Sequence, residues 1–185
     1  MPPWYAGLVG LMAVQRLWEL ADSRRRERGW VEGRQAAARS YPVMVAVHAG
    51  LLTLPLVEVG VLRRRPRRPL AWIGVLLGAA LLRRWSIRTL GAGWSARGVV
   101  PAGLRPVTTG PYRFIRHPNY VAVILEFAAL PMAGGAWLSA LVLSALNGLV
   151  LWDRIRDEER LLAAVPGYEE ALGGRARFLP GLFWI

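Results

Sequence analysis

Residues 119–152 read NYVAVILEFAALPMAGGAWLSALVLSALNGLVLW, two apolar runs parted by Gly134-Gly135, with Glu126 as the one acidic or basic side chain. Each run has helix length, and paired glycines end one helix and open a tight hairpin into the next. Working back toward the N-terminus, further apolar stretches occupy 69–82, with an extension to 90, then 42–62 and 4–21. The stretches 69–82 and 119–133 are short for a spanning helix, which needs about 20 residues, so tilt or arginines that snorkel to the interface must make up the length. The first stretch has no basic segment before it and runs into Ala21-Asp22-Ser23-Arg24, so it is expected to stay as an uncleaved span. The expected fold is therefore an all-α integral membrane protein of about five transmembrane helices with a C-terminal helical extension. It forms one domain over 1–185, in which 1–87 supply the N-terminal helices.

The composition agrees. Of 185 residues 54% are hydrophobic and nine are Trp, while the 24 basic residues are all Arg against 12 acids, a net charge of +12. No cysteine is present, which excludes disulfides, thiolate metal sites and cysteine nucleophiles. His48 and His117 lie too far apart for a histidine-rich di-iron site, and no metal is expected. The arginines flank the apolar stretches and do not gather on one face with interleaved aromatics, so nucleic acid is not the expected partner, whereas membrane lipids are. Placing the N-terminus outside puts arginines 24, 25, 26, 28, 34, 39, then 83, 84, 88, 97, 105, 113, 116, then 154, 156, 160, 175, 177 inside. Only the cluster from Arg63 to Arg68 breaks the positive-inside pattern.

Ionisable groups within a span are costly, so each is expected to have a partner or a function. Gln15 and Arg16 are spaced to satisfy Glu19 on one face. His48 and Glu58 fall about 80° apart around the second helix. Glu126 shares a face with Asn119, Val123 and Leu130 and points into the bundle, either satisfied by a partner such as Asn147 or free to accept a proton. If the last helix runs unbroken, Ala140, Ser144, Asn147, Leu151, Ile155 and Glu158 share one face. Gly74 with Gly78, and Ala140 with Ser144 and Gly148, form small-residue rows suited to helix packing. Arg154 with Glu158 and Arg156 with Glu159 read as surface pairs. Gly91-Ala92-Gly93-Trp94-Ser95-Ala96 matches GxGxxA but lacks the strand before and helix after that a dinucleotide loop needs.

The informative polar segment lies between the third and fourth spans: Arg88-Thr-Leu-Gly-Ala-Gly-Trp-Ser-Ala-Arg97, then Gly110-Pro-Tyr-Arg-Phe-Ile-Arg-His-Pro-Asn-Tyr120. Pro118 suits the first position of a helix, with His117 as its cap and unpaired N–H groups in its first turn. Arg116-His-Pro-Asn-Tyr120, followed after the hairpin by Arg154-Ile-Arg-Asp-Glu-Glu-Arg-Leu161, resembles the isoprenylcysteine carboxyl methyltransferase family of integral-membrane, S-adenosylmethionine-dependent enzymes. The wider pattern, including Trp94-Ser95, Glu126, Arg175, Phe178 and Pro180, is similar to its bacterial branch associated with type III polyketide synthases.

That resemblance implies that 88–185 is the donor-binding catalytic half, that S-adenosyl-L-methionine is the methyl donor, and that a lipophilic acceptor, a phenolic or pyrone lipid hydroxyl, enters from the membrane. It places His117, Pro118, Tyr120, Glu158 and Glu159 at the donor. A carboxylate, Glu158 or Glu159, suits the donor's ammonium and an arginine, Arg113 or Arg116, its carboxylate. Glu126 or His117 is the candidate base for a phenol, and Arg88 or Arg97 the candidate cation beside it. Ala122 stands where the family often has glycine, and Tyr168 lacks the second late tyrosine. The alternatives are isoprenylcysteine carboxyl or phospholipid N-methylation, a reductase, and a non-enzymatic adaptor.

Overall fold

The computed structural model describes residues 1–30, 32–36, 38 and 40–180. Helices α1 (Pro3–Glu27), α2 (Tyr41–Val61), α3 (Pro69–Leu90), α4 (Pro118–Gly134) and α5 (Trp137–Ala163) occupy the five apolar stretches, and a short α6 (Tyr168–Leu172) follows. Four of them start on proline at the first or second position, where the missing N–H costs nothing. Gly135, at φ +85°, caps α4, and the N–H groups of Gly135 and Ala136 return to the carbonyls of Met132 and Pro131 at 3.1 and 2.9 Å. Helix α5 does run unbroken past the apolar segment, about 40 Å at 1.5 Å per residue, and carries Glu158 and Glu159 out on its far end.

Three helices, α2, α3 and α5, are long and apolar enough to cross a membrane on their own. Helix α4 has the apolarity but only 17 residues, and α1 carries Arg16 and Glu19 in its middle. The bundle is built around α4, whose Ala122, Val123, Glu126, Phe127, Ala129, Leu130 and Ala133 are all buried and which touches each of the other four long helices. The outer faces are apolar instead of polar: Leu11, Leu17, Leu70, Leu77, Leu141 and Leu149 are exposed, as lipid-facing side chains are. Gly74, Gly78 and Gly148 also face outward with nothing against them, whereas Ala140 of the second small-residue row is buried.

Close packing needs a glycine elsewhere. Tyr5 is fully buried and donates its hydroxyl to the Leu130 carbonyl at 3.1 Å, while a Cβ on Gly134 would stand 2.3 Å from the Tyr5 ring. A Gly134→Ala protein is expected to lose about 1–3 kcal/mol through overpacking at this α1–α4 contact, read as a lower midpoint of thermal unfolding in detergent.

The intramembrane charges form a network larger than the expected local pairs. Glu19 does accept from Gln15 at 3.0 Å and Arg16 at 2.9 Å, but it also takes the Arg83 Nε of α3 at 2.9 Å. The second arm of Arg16 pairs with Glu126, so the partner of Glu126 is on α1, and Asn147 does not serve that role. Two guanidiniums and two carboxylates thus tie α1, α3 and α4 together in a place where water cannot screen them. Glu58 serves a helix end instead. It accepts the N–H groups of Leu138 and Ser139 at 3.2 and 2.7 Å and the Ser139 hydroxyl at 2.7 Å, capping α5 from another helix. His48 gives its Nδ1 proton to the Met44 carbonyl at 2.9 Å and stands edge-on to Phe127.

The sequence pattern does not foretell one element. Strands β1 (Gly33–Gln35) and β2 (Val99–Pro101) pair antiparallel, with Gly33 opposite Pro101 and Gln35 opposite Val99, and join the α1–α2 connection to the α3–α4 segment. Three-residue strands carry no alternation long enough to detect. Arg39, one of the arginines counted in the topology, lies outside the described residues.

Candidate functional site

The polar end of the bundle starts from two backbone bonds. The N–H groups of Arg116 and His117 donate to the carbonyls of Ala176 and Arg177 at 2.9 and 3.0 Å, which lays the C-terminal segment along the start of α4. Glu159 locks the same join from the side. Its carboxylate meets His117 Nε2 at 3.0 Å, Arg177 through Nε at 3.0 Å and Nη2 at 2.7 Å, and Arg116 at 3.3 Å. The expected Arg156–Glu159 surface pair is thus replaced by longer-range partners. Glu159 acts as a clasp that orients His117 from behind.

Glu158 is one residue away, about 100° around α5, and turns inward. It receives the Tyr120 hydroxyl proton, and Tyr120 in turn accepts from Arg154 Nε at 2.9 Å. The expected Arg154–Glu158 surface pair is incorrect, because Arg154 is 5% exposed and spends its donors on Tyr120, the Ala96 carbonyl at 2.8 Å and Met44 Sδ. One buried guanidinium therefore ties α2, α4, α5 and the loop that follows α3. Gly98, at φ +69°, lets the loop lie on it, since a Cβ there would meet Arg154 Nη2 at 2.8 Å.

The loop after α3 is anchored at its other edge by α1. The Ala96 N–H donates to Ser23 Oγ at 2.9 Å, Ser95 Oγ to Glu27 at 2.6 Å, and Arg97 Nε to Glu27 at 2.8 Å. The GxGxxA outline is a 3₁₀ turn, Gly91–Gly93, leading into this anchored loop, with no βαβ unit around it among the described residues.

Between this loop, the start of α4 and the end of α5 lies a cleft with about 820 Å³ of empty space, the open solvent at its mouth included. Of the residues singled out from sequence, Arg116, His117, Tyr120 and Glu158 line it. Pro118 and Glu159 stand behind the wall. Arg113 is exposed and stacks on Phe114, which leaves Arg116 as the arginine at the cleft from that pair.

Arg88, Arg97 and Glu126 are not among the lining residues. Arg88 is exposed on α3, Arg97 is held by Glu27, and Glu126 is wholly buried, six residues or about 9 Å along α4 from Tyr120.

The cleft also holds residues that spacing does not reveal: Trp94, Asn119, Tyr112, Tyr168 and Arg154. Burial, with Glu158 nearby, pushes the Tyr112 phenol up. Burial does the same to Tyr168 against the opposing pull of Arg116, so both phenols stay neutral donors at physiological pH. Three buried polar atoms on lining residues have no hydrogen-bond partner: Trp94 Nε1, Arg116 Nε and Asn119 Oδ1. A polar ligand with both donors and acceptors would satisfy them.

The family model for the isoprenylcysteine carboxyl methyltransferase (ICMT) family matches residues 72–164, from the first turn of α3 to the end of α5. The uncharacterized protein YpbQ of Bacillus subtilis (strain 168) is 31% identical over 163 residues, covering 84% of this chain and 94% of that relative. A helical membrane bundle that closes a polar cleft at one end, matched in this way, is of the membrane methyltransferase class. The chain belongs to the ICMT family.

Proposed function

We propose that the protein is an S-adenosyl-L-methionine-dependent O-methyltransferase whose acceptor is a lipophilic phenolic or pyrone hydroxyl of the kind type III polyketide synthases make, reaching the cleft from the membrane. The observation that carries the reading is the set of partnerless polar atoms on Trp94, Arg116 and Asn119, residues that line the same cleft as Glu158. When bound, the donor supplies a sulfonium methyl group. Glu158 suits its ammonium and Arg116 its carboxylate, while Trp94 Nε1–H and Asn119 Oδ1 offer the donor and acceptor that a purine edge needs.

The chain's residues then have distinct duties. Arg154 holds Tyr120, Tyr120 holds Glu158, and Glu159 holds His117. A phenolic hydroxyl, with pKa near 10 by analogy with tyrosine, gains from a base, and we assign that proton to His117, which lines the cleft, in preference to the distant Glu126. Neither Arg88 nor Arg97 lines the cleft, so the reading gives the phenol no cation from that pair. By the arginine count the cleft faces the cytoplasm, with the N-terminus outside.

The assay is transfer of labelled methyl by the protein in bilayer nanodiscs offered an alkylresorcinol, phosphatidylethanolamine or a prenylated cysteine. Label in the alkylresorcinol is the expected result. Label confined to either of the other two would replace the acceptor, and none in any would remove the reading.

A further inference from the structure

The cluster Arg63, Arg64, Arg65, Arg67 and Arg68 lies at the end of the bundle opposite the cleft, in the turn between α2 and α3, and methyl transfer makes no use of it. Its surroundings show where the bilayer surface falls. Trp4 on α1, Trp72 on α3 and Trp137 on α5 stand in the first turns of helices that begin at this end. Their counterparts toward the other end are Trp18, Trp85 and Trp152, all at least half exposed. The separations along α1, α3 and α5 are about 14, 13 and 15 residues, or about 20–23 Å at 1.5 Å per residue. That spacing falls short of the ~30 Å hydrocarbon core, so the girdle of Trp4, Trp72 and Trp137 marks the membrane interface at this end alone. The arginine turn lies just beyond the first girdle, at the level of lipid headgroups.

The turn is built, not loose. Gly135 of the α4–α5 hairpin supports its backbone so closely that a Cβ there would meet the Arg65 carbonyl at 2.8 Å. Arg64 is drawn inward by Glu58 at 3.6 Å and by the Trp137 ring, 5.3 Å from its guanidinium. That leaves Arg63, Arg65, Arg67 and Arg68 exposed. No Asp or Glu occurs in the sequence between Glu58 and Glu126, and Glu58 is engaged with α5. Helices α1 and α3 also point their N-termini to this end with no acid in the first turn, which adds positive potential.

We propose that this turn is a binding site for the phosphate of an anionic phospholipid headgroup. Four exposed guanidiniums at headgroup depth, each worth a sizeable part of a tenfold affinity gain near an anionic surface, recognise a phosphodiester by forked hydrogen bonds. The exception to the positive-inside pattern thereby has a physical use.

The test is native mass spectrometry of the full chain released from nanodiscs of mixed phosphatidylglycerol and phosphatidylcholine. Wild type is compared with the variant Arg63→Gln/Arg65→Gln/Arg67→Gln/Arg68→Gln and with a charge-matched control, Arg24→Gln/Arg25→Gln/Arg28→Gln/Arg34→Gln. The expected result is selective retention of phosphatidylglycerol by wild type and control and a loss of at least about tenfold in the first variant. Arg→Lys at the same four positions should keep part of it, which separates charge from folding. Equal retention in wild type and the Gln variant, or equal loss in the control, overturns the proposal. Inorganic phosphate that stabilises detergent-solubilised protein as well as the lipid does would overturn the lipid as its source.

Discussion

Replacing Glu126 by alanine is expected to cost the bundle about 3–5 kcal/mol, the usual penalty for leaving a buried charge without its partner. Glu126 is 0% exposed and its Oε2 pairs with Arg16 of α1, which also serves Glu19, which in turn holds Arg83 of α3. Removing one carboxylate leaves two guanidiniums facing a single acid inside the apolar part of the molecule. The double variant Glu126→Leu/Arg16→Met should recover most of the loss, because an apolar pair of similar size carries no desolvation cost. Unfolding in detergent, followed for the single and double variants, checks both. A single variant as stable as wild type would contradict the network's structural role. Glu126→Gln should leave the pH-rate profile unchanged, and a profile that moves would restore Glu126 as a base.

The second large effect falls on Arg154. Arg154→Met is expected to weaken donor binding by about 10- to 100-fold, since it removes charged hydrogen bonds worth about 1.5–3 kcal/mol each from Tyr120 and the Ala96 carbonyl. Arg154 lines the cleft but acts chiefly by holding Tyr120, which holds Glu158. Arg154→Lys keeps the charge but not the fork that spans two partners, so it should fall between the two. Donor affinity by titration, read beside the unfolding midpoint, separates a misplaced site from a misfolded protein. Affinity unchanged in a folded Arg154→Met protein would show that the cleft does not depend on this anchor.

Much of the architecture is legible in the sequence because apolar run length and glycine or proline punctuation are local signals. The hairpin at Gly134-Gly135 and the proline start at Pro118 follow from neighbours in sequence. The partners of charged groups are not legible, because they are chosen by tertiary proximity. Arg16 and Glu126 are 110 positions apart, and Arg154 turns from the nearby Glu158 to Tyr120 because α4 crosses there.

The site is half visible for the same reason. Arg116, His117, Tyr120 and Glu158 stand in two recognisable motifs and do meet at the cleft. Trp94 and the Leu104–Val107 stretch come to the cleft through a loop whose path is set by Gly98, by β1–β2 pairing and by the Glu27 anchor, and Asn119 comes to it in the first turn of α4. Spacing alone gives Trp94-Ser95 no duty. Arg88 and Arg97 are plausible cations by position alone, and solvent and Glu27 take them elsewhere.

The central claim is that the cleft binds S-adenosyl-L-methionine. Calorimetric titration of the purified protein in detergent with S-adenosylmethionine and S-adenosylhomocysteine tests it before any acceptor is known, with His117→Ala and Glu158→Ala beside wild type. The account predicts saturable binding of both ligands by wild type and a loss of roughly tenfold or more in each variant, about 1.4 kcal/mol. No binding by folded wild type, or binding that neither substitution changes, would contradict it.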